Sequence, residues 1–342
     1  MIWIWIGFIA LILTLLALDL GVFHRKSHVI GMKEALAWSS LWATLALSFT
    51  VFVYLGYERH WMGLGLTPDA VDGVVNDGKL AAVKYLTGYI IELSLSMDNV
   101  FVIALIFAFF RVPAPYQHRL LFWGIIGAQV MRGVMIGAGA VLVARFHWIL
   151  YVFGAFLLLT GLRMLWKSDE PKELHENWVI RLARRLMPVT HEYHGMSFTI
   201  VQNGRRMLTP MALALIMVES TDVLFAVDSI PAVFAITSDP FLVFTSNVFA
   251  ILGLRSLYFA LAGLIARFRY LEPALALVLM LVGAKMLGAD FIKGMLGPNA
   301  NLLLLGVVFA ILLGGVILSL ARPLPEATEA RDASGESPAS PR

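Results

Sequence analysis

Apolar residues in this chain gather into long runs instead of alternating with polar ones at the period of a half-buried element. Nine runs, near 2–20, 35–55, 80–110, 120–144, 148–166, 211–236, 241–265, 273–290 and 302–320, approach or exceed the ~20 residues with which a helix crosses ~30 Å of hydrocarbon. Backbone in lipid must satisfy its own hydrogen bonds, so the pattern predicts nine transmembrane helices in an all-α polytopic membrane protein. The first run has no basic stretch before it and no small-x-small cleavage site, and it carries Asp19; it reads as a retained span and not a signal peptide.

The polar stretches set orientation. Arg25, Lys26, Lys33, Arg111, Arg119, seven basic residues between 167 and 206, Arg267 and Arg269 fall on one side; Arg59, Lys79, Arg145 and Lys293 fall on the other. The positive-inside rule then places the N-terminus outside and the C-terminus in the cytoplasm. Residues 1–322 form the transmembrane domain. The Pro/Ser/Glu-rich stretch 323–342 has no apolar periodicity and is expected to be a disordered cytoplasmic tail. The longest loop, 167–209, is cytoplasmic; it predicts a helix over 178–186 and a hairpin turned by Asn203-Gly204.

Three spans recur as three spans. Glu92-Leu-Ser-Leu-Ser-Met-Asp98-Asn99 is echoed by Asp222-Val-Leu-Phe-Ala-Val-Asp228-Ser229, the segment around Arg132 by that around Arg255, and Gly161-Leu-Arg163 by Gly283-Ala-Lys285, at offsets of 130, 123 and 122. A repeat with an odd number of crossings inverts its second copy. The expected plan is two inverted three-helix repeats, about 80–166 and 210–290, with a site at their interface.

Composition narrows the chemistry. Hydrophobic residues make up 59% of the chain, charged residues 14%, and the mean hydropathy is +0.81. The net charge of +3 describes topology and not a nucleic-acid footprint. The absence of cysteine excludes disulfides, thiolate ligands and iron–sulfur clusters.

What remains is acid inside apolar helices, at ~2.5–3.5 kcal/mol each on insertion scales. Asp19, Glu92, Asp98, Glu219, Asp222 and Asp228 face two mid-span cations, Arg132 and Arg255, which leaves four unmatched charges for protons or metal. Glu92, Ser96 and Asn99 share one helical stripe, as do Asp222, Ala226 and Ser229. Pro231 is expected to break its helix and free a carbonyl beside Asp228. Oxygen donors of this kind suit Mg²⁺, Ca²⁺ or Mn²⁺, with Asp19, Glu92, Asp98, Asn99, Glu219, Asp222, Asp228 and Ser229 as candidate ligands and Arg132 and Arg255 compensating the empty site. All eight histidines fall in loops or at span ends, which disfavours zinc and copper. Met97 reads as packing, Gly137, Gly139, Gly161 and Gly283 as close helix contacts, and Lys285 as a span-end cation.

These residues resemble the TerC/Alx family of integral membrane proteins, through the acidic segments, Asp228-Ser-Ile-Pro231-Ala and Thr245-Ser-Asn-Val-Phe-Ala-Ile-Leu-Gly-Leu-Arg255. The resemblance implies a bacterial inner-membrane protein linked to tellurium resistance, manganese export and, for some members, metal delivery to secreted enzymes with membrane partners. Oxygen ligands do not explain binding of a tellurium oxyanion, so that resistance reads as indirect. The expectation is a secondary transporter exporting Mn²⁺, by proton or sodium antiport since no ATP-binding motif occurs, with no resident cofactor and no enzymatic activity. The rival is a membrane scaffold docking partners through 167–209. An intramembrane aspartyl protease is disfavoured by the absence of Gly-x-Gly-Asp in any span.

Overall fold

The computed structural model describes residues 2–18, 31–166, 178–190, 192–202, 204–261, 270–288 and 300–321. Asp19, residues 167–177 of the long loop and the tail 323–342 lie outside them. The helices are α1 (Ile2–Leu18), α2 (Met32–Glu58), α3 (Gly78–Phe109), α4 (Ala114–Arg145), α5 (Ile149–Trp166), α6 (Trp178–Leu186), α7 (Pro210–Phe234), α8 (Pro240–Leu252), α9 (Leu254–Leu261), α10 (Leu271–Leu287) and α11 (Ala300–Ala321). Strands β1 (Thr199–Gln202) and β2 (Arg205–Leu208) form the expected antiparallel hairpin.

The architecture is all-α and polytopic. Among the described residues seven helices are long and apolar enough to cross a membrane: α2, α3, α4, α5, α7, α8 with all but the last residue of α9 (Pro240–Ala260), and α11. The other two expected runs form α1 and α10, each 17 residues and so about 25 Å at 1.5 Å per residue.

Polar side chains set the ends of these apolar helices. Asp77 accepts from Leu80 N–H at 2.7 Å to start α3, Thr209 caps α7 ahead of Pro210, and Asp239 accepts from Phe241 N–H at 3.0 Å to start α8 ahead of Pro240. Pro231 does not break α7, which continues to Phe234. The proline sits in the last turn, so the helix ends soon after it, but its missing N–H still leaves the Val227 carbonyl without its helical donor.

Packing directions follow from close contacts. Gly124 and Gly139 of α4 face Val218 and Phe234 of α7, so α4 and α7 run parallel. Residues 110–113 turn α3 back into α4, which makes α3 antiparallel to α7. The broadest contact joins α5 to α10, and it is reciprocal. A Cβ on Gly161 would lie 2.7 Å from Ala276 O and from Met280 Cγ; on Gly283 it would lie 2.7 Å from Gly154 O and 2.9 Å from Leu158 N. Ala276 and Gly154, Met280 and Leu158, and Gly283 and Gly161 are each 122 positions apart. Helices α5 and α10 therefore cross antiparallel about a local two-fold axis, at a separation that only glycine permits.

One end of the bundle is held by buried ions. Lys84, in the second turn of α3, reaches Asp69 Oδ2 and Asp72 Oδ2 at 2.8 Å and donates to Asn76 Oδ1 at 2.7 Å. Asp69 also accepts from the Ser238 N–H at 2.9 Å, the Ser238 hydroxyl at 2.7 Å and the Thr237 hydroxyl. Lys285 of α10 donates to Ala235 O and Asn301 Oδ1, both at 3.2 Å, and Asn301 donates to Asp72 Oδ2. This cluster ties the loop before α3 to the α7–α8 turn, α10 and α11. The opposite end carries the α3–α4 turn at Arg111, the hairpin and the foot of α7, joined by the Tyr193 hydroxyl donating to Phe110 O at 2.7 Å.

Burial alone would push the Asp69 carboxyl up, but the Lys84 ammonium and the Lys84, Thr237 and Ser238 hydrogen bonds override it and hold it at about 2. A depressed carboxyl stabilises the fold above its ordinary value of 3.8, and that stability disappears as pH falls through about 2. Asp69→Asn should therefore lower thermal stability in detergent at neutral pH, with the gap from wild type closing between pH 3.8 and about 2. A gap that persists at pH 2 contradicts this assignment.

Candidate cation pathway

The core of the site is a guanidinium inside the bundle. Arg132 is buried in the apolar length of α4, where its Nη2 and Nε donate to Asp222 Oδ1 and Oδ2 of α7 at 3.0 and 3.3 Å. Its Nη1 donates to Glu92 Oε1 of α3 and to Ser229 Oγ at 3.3 Å. Burial of a charge requires such pairing, and the two-pronged contact with Asp222 suits the planar arginine fork. Glu92 and Asp222, corresponding positions of the two acidic segments, thus meet at one cation. Two acids against one base leave a formal charge of −1. Glu92 Oε2 and the Ser96 hydroxyl are buried with no hydrogen-bond partner among the described residues, so the cluster has acceptor capacity that Arg132 does not fill.

A cavity of about 390 Å³ adjoins this cluster. Asp98 and Asn99 line it from α3, Asp228 and Ser229 from α7, Thr160 and Arg163 from α5, and Glu272 from α10. Ser229 belongs to both cluster and cavity, making them contiguous. Arg163 and Glu272 lie near the Arg111 end of their helices, and the lining runs inward from them to Asp228. Asn99 and Asp222 also line a smaller cavity with Thr221. Glu219 lies beside α4, where a Cβ on Gly127 would overlap its carboxyl; that glycine makes room for an acid between two helices.

The remaining expected residues lie elsewhere. Arg255 is buried with its Nη1 3.2 Å from His118 Nε2, and it does not line the 390 Å³ cavity. Asp19 falls outside the described residues. Met97 packs in an apolar cluster with Ile91 and Leu157. Arg163, Glu272 and Lys84 were missed as site or network members: charges within a turn or two of a helix end give no signal against the ordinary background of span-end cations and acids. Among the described residues no three acidic or imidazole side chains converge as a metal site. The arrangement is a resident arginine between two carboxylates, next to a cavity lined by three more, Asp98, Asp228 and Glu272.

The chain is matched over residues 77–324 by the model of the integral membrane protein TerC family. An uncharacterized membrane protein of Myxococcus xanthus is 47% identical over 325 residues, 95% of each chain. The putative membrane-bound redox modulator Alx of Escherichia coli K12 is 43% identical over 317 residues, 92% of this chain and 94% of that one. A membrane protein of Rickettsia felis is 36% identical over 318 residues, 93% and 97% of the two chains. No solved structure matches. The acidic helices around Arg132 lie within the matched segment, and the chain belongs to the TerC family of integral membrane proteins.

Proposed function

We propose that the chain is a secondary transporter that exports a divalent cation, Mn²⁺, from the cytoplasm in exchange for protons. The observation that carries this reading is the continuity of the Arg132 cluster with a cavity holding Asp98 and Asp228. Structural pairing accounts for one arginine between two acids. It does not account for a space beside them lined by further carboxylates in the apolar interior, which favours a path for cations. The donors are oxygen, as Mn²⁺ prefers, and carboxylates that release metal accept protons in its place.

In this reading Arg132 occupies the empty site. An incoming dication attracts Glu92 and Asp222 away from the guanidinium, and Asp98, Asn99, Asp228 and Ser229 receive it from the cavity. The antiparallel α5–α10 pair and the opposed directions of α3 and α7 support two inverted three-helix units that rock about the site. Placing the arginine-rich Arg111 end in the cytoplasm makes this an inward-facing state, closed at the outer end by Lys84 and its partners. The inner bacterial membrane is the compartment implied. The Alx relatives are named for redox modulation; this chain has no thiol, so we attribute any redox effect to the metal pool.

Inverted vesicles containing the protein should accumulate Mn²⁺ when their interior is acidified, and Asp98→Asn and Asp228→Asn should each reduce the rate about tenfold or more at normal abundance, because each removes a charged ligand and keeps its shape. Undiminished uptake by either variant removes that residue from the path. If uptake is absent from wild type while replacement of residues 167–209 abolishes the cellular phenotype, the scaffold reading replaces transport.

Topology is tested separately. Single cysteines at Ala114, by the α3–α4 turn, and at Val74, in the loop joined to the α7–α8 turn, are both exposed. They should label from the cytoplasmic and outer faces respectively. Labelling from one face contradicts the proposed crossing of α3.

A further inference from the structure

Helix α6 divides into three faces. Ile180 is fully buried, and Ala183 and Met187 pack beside it against the foot of α7. Arg181, Arg184 and Arg185 occupy a second sector. Trp178, Leu182 and Leu186, spaced i, i+4 and i+8, form a third that stands open among the described residues: they are 67, 43 and 74% exposed. A solvated cytoplasmic helix accounts for the arginines. It does not account for a tryptophan–leucine stripe facing outward beside them.

Next to this helix is a cavity of about 720 Å³ lined by Arg184, Arg111, Thr190, Tyr193, Phe110 and Leu213. Its walls are pinned by the Tyr193 hydroxyl donating to Phe110 O and the Thr190 hydroxyl donating to Glu192 O. It lies where α3 ends and α7 begins, the level at which apolar helices leave the hydrocarbon for the headgroup layer. Two guanidiniums above an apolar wall match a phosphate attached to an apolar body.

We propose that α6 lies in the plane of the membrane surface with Trp178, Leu182 and Leu186 in the lipid, and that the Arg111–Arg184 cavity binds the phosphate of an anionic phospholipid. One occupant meets both observations: its acyl layer covers the exposed stripe and its phosphate accepts hydrogen bonds from the cavity guanidiniums. A soluble anion satisfies only the second. The inference rests on membrane embedding and is independent of the ion transported.

The absence of native cysteine permits a direct test. A nitroxide on Leu182→Cys, in the full chain reconstituted with phosphatidylglycerol, should collide more with oxygen than with a water-soluble nickel chelate. Native mass spectrometry should show phosphatidylglycerol retained over phosphatidylcholine, and Arg111→Gln with Arg184→Gln should weaken that retention about tenfold. Arg205→Gln with Arg206→Gln, an equal loss of charge on exposed β2, should leave it unchanged. If the cavity variants do not fold, wild type alone decides: phosphatidylglycerol should raise its melting temperature more than phosphatidylcholine does, and equal shifts overturn the proposal. A chelate-accessible label overturns it in favour of a face open to water or to a soluble protein. Displacement of the lipid by inorganic phosphate overturns it in favour of a soluble-anion site.

Discussion

A buried guanidinium is costly inside an apolar bundle unless acids come to it, and the arrangement of α3, α4 and α7 depends on that constraint. Breaking a buried pair by removing one partner costs about 3–5 kcal/mol. Glu92 and Asp222 thus draw two helices onto the third at one depth, and this contact brings Asp98, Asn99, Asp228 and Ser229 around a common space. The pairing is also provisional in chemical terms. Two carboxylates and a hydroxyl around one cation form a set that a different cation can use.

The two buried ionic clusters differ in what surrounds them. Lys84 has Asp69, Asp72 and Asn76 as direct partners, and the cluster is closed by backbone and hydroxyl donors from the α7–α8 turn. Arg132 instead leaves a Glu92 oxygen and the Ser96 hydroxyl without hydrogen bonds among the described residues, next to a cavity. Full satisfaction rigidifies; partial satisfaction leaves capacity for a ligand. Under the proposed transport function, the first cluster would serve as a closure between helix ends and the second as an exchange point, the division that alternating access requires.

The spans were legible because long apolar runs have few other uses, and the acids because carboxylates are rare there. The meeting of Glu92, Asp222 and Arg132 follows from the same rarity, since each needs a partner. The reciprocal spacing of Gly161 and Gly283 was visible as a repeat, though not as a two-fold contact. What stayed hidden has physical reasons. Arg163, Glu272 and Lys84 lie close to helix ends, where a charge reaches the interface without a partner and sequence offers no distinction. Asp69 and Asp72 lie in a loop whose return against α3 is a tertiary event. Arg255, expected from symmetry to mirror Arg132, sits where Gly253 separates α8 from α9 and lies beside His118. Repeat symmetry constrains the backbone more strongly than the side-chain partners.

In the proposed transport cycle Arg132 holds the place of the transported cation. This role is tested by measuring Mn²⁺ binding and turnover on the same Arg132→Gln protein, with Arg132→Lys as the charge-retaining control and a monodisperse gel-filtration peak as the criterion of folding. Binding is read from loss of the free Mn²⁺ electron paramagnetic resonance signal, and turnover from uptake into proteoliposomes. Arg132→Gln should bind Mn²⁺ at least as tightly as wild type but transport it about tenfold more slowly, because the empty carboxylates lack the counter-charge that lets them reset. Parallel loss of binding and transport in folded protein, or transport at the wild-type rate, contradicts that role.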